Sequence, residues 1–158
     1  MKKLFITTAI AAMFSASVFA DGTKTAATKI NVSYTVVNEF NTNFADAKNV
    51  TWSVNNDFQK ASFILNGVKT TAFYNMQGEF VAVTMNIDVK AIPAKASADI
   101  ADKYKGYSVE GVIVVQNNTE LNPDAEETAY FVELKNDSKE ILVKINSDLH
   151  TEFFKEVK

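Results

Sequence analysis

The chain has 158 residues, a formal net charge of −3, sixteen Lys, no Arg and no Cys. That length fits one domain or two small tandem modules, and the lack of Cys excludes disulfides and thiolate metal sites. Net acidity without Arg argues against nucleic acid as a partner and against attraction to an anionic membrane surface.

The N-terminus reads as an export signal. Lys2 and Lys3 precede a mostly apolar run, Leu4 to Val18, and Val18-Phe19-Ala20 is a small-x-small cleavage site. The run is too short to be a convincing membrane span. An uncleaved amphipathic or membrane N-terminus is the competing reading. Cleavage after Ala20 takes the formal charge from −3 to −5 and leaves no apolar run long enough to cross a bilayer. A periplasmic or secreted protein of a Gram-negative bacterium is expected, with residues 21–29 as a polar leader and no membrane insertion of the mature chain.

From Asn31 a helical period begins. Val36, Val37, Phe40 and Phe44 make one apolar stripe, and Asn38, Glu39, Asn41 and Asn43 take the other side. Val50, Trp52 and Val54 then alternate with polar residues as a half-buried strand. Their phase below the stripe makes Trp52 a core anchor between helix and sheet. Phe58–Leu65 and Val68–Tyr74 flank Asn66-Gly67, a two-residue hairpin turn in which both positions need positive φ. Asn75 to Gly78 turns the chain again, into a strand over Glu79–Val89.

Ile92-Pro93 resets the pattern. Pro suits a first helical turn. Ala96, Ile100 and Tyr104 recur every four residues, and Gly106 stops the helix. Val109–Gln116 is a strand apolar on both faces at its centre. Residues 117–128 form a polar loop carrying Asp124, Glu126 and Glu127. Strands follow over Ala129–Lys135, Glu140–Ile145 and His150–Val157. The two halves, residues 30–91 and 92–158, share an order of elements. The fold expected is therefore α+β, a tandem repeat of one helix plus a mostly four-stranded antiparallel sheet. Phe40, Phe44, Trp52, Phe63, Ile100 and Tyr104 are its expected core.

No catalytic set emerges. Ser147, Asp148 and His150 share one turn and the strand after it, whereas a triad converges from separate elements. The acids of the long loop lack the spacing of a calcium loop and the opposed geometry of a glycosidase pair. They read as a solvated loop or as the charged rim of a binding surface. No metal, no cofactor and no enzymatic activity are expected. The adjacent aromatic pairs Phe73-Tyr74 and Tyr130-Phe131 put one ring on each sheet face. Either an aromatic face meets a partner, or both faces are buried. Phe73, Tyr74, Tyr130, Phe131, Asp124, Glu126 and Glu127 are the candidate binding residues.

Phe40-x3-Phe44-x2-Ala47-x-Asn49-Val50-x-Trp52 resembles the opening motif of the PepSY-like, β-lactamase-inhibitor-like exported proteins of Gram-negative bacteria. Phe63, Asn66-Gly67, Tyr74 and Gly78 fit as well, as do Ile92-Pro93, Ile100, Tyr104, Gly106 and Tyr107. The resemblance runs from about Val36 to the C-terminus. It implies helix plus antiparallel sheet in tandem and an exported, non-enzymatic module. Two departures stand against inhibition of a β-lactamase: there is no Cys, and the inhibitor loop residues have no counterparts. The functional expectation is an exported module, inhibitor-like in kind, that recognises a protein or peptide partner through an aromatic sheet face and loops. The alternative is a periplasmic carrier of a small hydrophobic ligand.

Overall fold

The computed structural model describes residues 31–157. The export signal and leader expected over residues 1–29 lie outside them. The elements are α1 (Tyr34–Asn43), β1 (Lys48–Val54), β2 (Gln59–Leu65), β3 (Val68–Tyr74) and β4 (Phe80–Ile87). A 3-10 turn at Val89–Ala91 leads to α2 (Ala94–Lys103), β5 (Ser108–Asn117), β6 (Thr128–Lys135), β7 (Glu140–Ile145) and β8 (Thr151–Glu156).

All eight strands form one antiparallel sheet in sequence order, β1 to β8. This overturns the expected tandem repeat of one helix plus a four-stranded sheet. Strand β4 pairs with β5 from Ala82 opposite Asn117 to Ile87 opposite Val112, so the sheet has no break between the halves. The physical reason lies in β5. Val112, Ile113, Val114 and Val115 are all buried although they point alternately to opposite faces. A strand apolar on both faces belongs inside a sheet, with a neighbour on each side.

Asparagine side chains shape four of the strand connections. Asn55 Oδ1 accepts the amides of Asp57 and Phe58. Asn75 Oδ1 accepts Glu79 N, Asn136 Oδ1 accepts Ser138 N and Lys139 N, and Asn146 Oδ1 accepts His150 N. Each mimics a backbone turn. Asn66 and Gly67 adopt φ of 51° and 82°, as a type I′ hairpin requires.

Both helices lie on one face of the sheet. The Ser33 side chain caps α1 by accepting Val36 N at 3.3 Å, and Gln59 Oε1 on β2 accepts Ser33 N at 2.8 Å. Val36 and Phe40 then point down onto Ala61, Phe63, Ala72 and Tyr74. Phe40 meets Phe63, Trp52 and Phe44 at ring-centroid distances of 5.0, 5.1 and 5.4 Å. Trp52 is half-buried on the edge strand, and Phe44 is half-buried at the helix C-cap. Under α2, Ala96 and Ile100 pack on Val112, Val132, Leu134 and Val143, with Tyr104 half-buried beside them. Gly106, at φ 84°, sits two residues past the Tyr104 C-cap rather than directly after it.

A third cluster occupies the other face. Phe73, Ala82, Ile113, Val115, Ala129, Phe131 and Leu142 pack together with Phe58, and Phe154 and Val157 pack against them. No described helix contributes to it.

Tyr74 is wholly buried under α1, and its hydroxyl has no hydrogen-bond partner among the described residues. Burial, and then the charge of Glu39, pushes its phenol above the ordinary range. An unpaired buried hydroxyl costs about 1–3 kcal/mol. Tyr74→Phe is therefore expected to leave stability unchanged or raise it by about 1 kcal/mol in urea denaturation. A clear loss of stability would show that the hydroxyl is satisfied by bound water.

Candidate functional site

The aromatic candidates do not come together. Phe73, Tyr74 and Phe131 are interior, at 1%, 0% and 0% exposure. Tyr74 belongs to the cluster under α1, and Phe73 and Phe131 to the cluster on the opposite face. Alternation correctly splits each pair between faces, but both faces are packed at these rows. Tyr130 remains 40% exposed, on the helix side, opposite Ile145. These rings therefore form no common surface, and an aromatic sheet face built from them is not available for docking.

The β5–β6 loop is exposed but held. Asn118 Oδ1 accepts Glu120 N, its amide nitrogen Nδ2 donates to Phe80 O, and its backbone N donates to Val81 O. The side chain of Asn117 donates to Glu126 O. Glu126 reaches Lys144 Nζ at 2.8 Å, so the loop bends toward the helix-free face on which Lys144 sits, in register with Phe131. Asp124 and Glu127 are exposed on the same loop. Of the candidate acids, only Glu126 has a described cationic partner.

The helix-free face over β1–β3 has a definite chemistry. Strand register places Ser53, Lys60 and Phe73 in one row, Thr51, Ser62 and Thr71 in the next, and Lys48, Ile64 and Lys69 in a third. Ser62 Oγ and Thr71 Oγ1 lie 3.2 Å apart, and Thr51 Oγ1 donates to Ser62 O. Burial alone lowers the Lys60 pKa from its ordinary value. Sequence patterning did not single out these residues. The signal that could have found them is that β1–β4 contain three Lys and no Asp or Glu.

Asp99 on α2 was also missed. Its Oδ2 accepts Thr151 N at 2.7 Å and Thr151 Oγ1 at 2.6 Å, and Lys103 Nζ lies 3.0 Å away. Its Oδ1 lies 3.0 Å from His150 Nδ1. The His–Asp contact is thus one part of a fastening between α2 and β8, and the carboxylate is fully engaged. The Thr151 hydroxyl, then His150 and the Thr151 amide, hold the Asp99 carboxyl well below the usual carboxylate range. No local sequence pattern could have shown this, because the partners lie 52 residues apart.

Glu133 is buried at the far end of the helix-free face. Burial, then a hydrogen bond and the charge of Glu140, push its pKa up to about 8. A shallow pocket of about 450 Å³ opens at the same end of the sheet, lined by Tyr107, Ser108, Lys135 and Asp137 among others. Among the described residues no group of three or more His, Asp or Glu is arranged to hold a metal ion. No described helix is long and apolar enough to cross a membrane.

One open antiparallel sheet with two helices on a single face defines a BLIP-like architecture, that of β-lactamase-inhibitor-like proteins. Solved structures share it. A DUF2874 family protein from Bacteroides uniformis is 18% identical, with 80% of this chain and 88% of that chain covered and a TM-score of 0.65. A protein from Bacteroides eggerthii ascribed to the periplasm is 14% identical, with 78% and 89% covered and a TM-score of 0.65. A BLIP-like protein from Bacteroides fragilis is 11% identical, with 81% and 88% covered and a TM-score of 0.65. At such identities the likeness shows the fold alone. No protein-family model and no curated protein sequence matches the chain. The BLIP-like part of the sequence resemblance thus has a structural counterpart, and the PepSY-like part is not shown by these neighbours.

Two pH responses follow. The depressed Asp99 pKa gives stability that is complete above the ordinary carboxylate range and is lost as pH falls from that range toward the depressed folded-state value. Asp99→Asn should be less stable at neutral pH and show a shallower acid limb in denaturation midpoints measured against pH. Glu133 works in the opposite sense. Its pKa is raised from 4.5 to about 8, so folding takes up a proton between those values and stability falls as pH rises through that window. Glu133→Gln should remove that slope and be the more stable protein at pH 8.

Proposed function

We propose that this chain is a non-enzymatic BLIP-like module of the cell envelope that binds a protein or peptide partner through its helix-free sheet face, with the β5–β6 loop as rim. One observation carries the reading: both helices lie on one face, and the other presents rows of hydroxyl and lysine side chains over β1–β3. Broad sheet faces of this kind offer backbone-fixed side chains at regular spacing, which suits recognition of an extended surface. The expected export signal and the neighbour ascribed to the periplasm support the compartment. The DUF2874 and BLIP-like neighbours support a module rather than an enzyme. The His150–Asp99 pair supports it too, since its carboxylate is committed to fastening a helix.

The carrier reading has one observation in its favour, the unpaired Tyr74 hydroxyl between α1 and the sheet. The same interface is filled by the Phe40, Phe44, Trp52 and Phe63 rings, which leaves it second.

The test is retention of envelope proteins on the immobilised chain. A retained partner should be lost with Ser62→Arg or Thr71→Arg, which crowd the helix-free face, and kept with Tyr130→Ala on the helix side, with circular dichroism confirming folding of each variant. Retention indifferent to the face variants would overturn the assignment. A small apolar molecule co-purifying in native mass spectrometry, with no protein retained, would favour the carrier.

A further inference from the structure

Lysines outside β1–β4 commonly have acidic partners. Lys103 pairs with Asp99, Lys139 with Glu156, and Lys144 with Glu126, at 2.8–3.0 Å. Strands β1–β4 differ in composition. They contain Lys48, Lys60 and Lys69 and no Asp or Glu, in a chain whose net charge is negative. Register puts all three lysines on the helix-free face. Lys48 and Lys69 flank Ile64 in one row, about 10 Å apart across two strand spacings. Lys60 lies four residues from Ile64 along β2, about 13 Å away. Between them runs the hydroxyl row of Thr51, Ser62 and Thr71. Lys60 is half-buried, and neither a hydrogen bond nor an ion pair engages its ammonium group among the described residues. The flanking acids Asp46, Asp57, Glu79 and Asp88 all lie outside the strands, in exposed connections.

The geometry points to an occupant: we propose that this face receives an extended acidic peptide segment of a protein partner, its carboxylates meeting Lys48 and Lys60 and its polar backbone crossing the hydroxyl row. The proposal rests on the partner-binding reading above and names the chemistry of that partner. A peptide fits better than a nucleic acid because the cations are lysines spaced as points, with no guanidinium forks for phosphates or bases. It also fits the edge. No described strand lies beyond β1, whose residues are mostly exposed, so its outer main-chain groups can pair with an extended chain beside the lysines. A partly desolvated ammonium without a partner gains more from a carboxylate than an exposed one does, which makes Lys60 the centre of the site.

The measurement is fluorescence anisotropy of a labelled decapeptide of alternating Glu and Ser, titrated with the full chain at low salt. Saturable binding is expected, weakening as salt is raised. Lys60→Gln and Lys48→Gln should each weaken it by about three- to tenfold, as loss of one charge-assisted contact does. Lys139→Gln, in the β6–β7 turn, should leave it unchanged. The same peptide with Gln for Glu should not bind. No binding of the acidic peptide overturns the proposal. So does equal, Lys60-dependent binding of a single-stranded DNA of the same charge, which would mark a general polyanion surface. An envelope partner still retained in full by Lys60→Gln also overturns it while leaving the module reading intact. Binding of the peptide with no envelope partner retained sustains the site and counts against that reading instead.

Discussion

The structure depends on the seam between β4 and β5. Six register pairs join Ala82–Ile87 to Val112–Asn117 and make one sheet of what the order of elements suggests as two. Everything else follows from that continuity. Because the sheet is single, α1 and α2 share a face, and their clusters sit side by side on it. Because β5 is buried on both faces, a third cluster forms opposite the helices, around Ile113, Val115 and Phe131. Two separate sheets would have left β4 and β5 as edges, with unpaired backbone and branched apolar side chains open to water.

Much of this was legible in the residues. The i, i+4 stripes of Val36–Phe40 and Ala96–Ile100 mark the helices, because side chains four residues apart stack on one face of a helix. The Asn residues mark the turns for a chemical reason, since their side-chain carbonyl accepts the amides that a reversing chain leaves free. The seam was not legible. Parity shows that Val112 to Val115 present apolar groups to both faces, but not which strand lies alongside. Nor could parity tell that Phe73 and Phe131 are covered. Alternation assigns a face, while burial depends on residues distant in sequence.

The candidate surface was harder to read than the fold, and Lys60 shows why. As a residue in a strand it is an ordinary polar position. It gains meaning only when register lines it up with Ser53 on one side and Phe73 on the other, and when the acids that could neutralise it prove to be absent from all four strands. Asp99 poses the same difficulty from the other direction. It looks like a solvent-facing helix acid, and its role comes from Thr151, 52 residues away.

These placements divide the sheet by electrostatic function. Toward β8, charges are spent on holding the fold: Asp99 ties α2 to β8, Glu126 ties the loop to Lys144, and burial beside Glu140 pushes the Glu133 pKa up. Toward β1, three lysines stand with no acid in their strands. Burying part of a lysine without a partner costs folding energy, and for Lys60 the lowered pKa is the signature of that cost. A fold that needed only stability would place an acid within reach, as it does for Lys139 with Glu156 of β8 and for Lys144 with Glu126 of the loop. Cation excess at one end of the sheet, with hydroxyls between, is the arrangement that a carboxylate-bearing partner would complete.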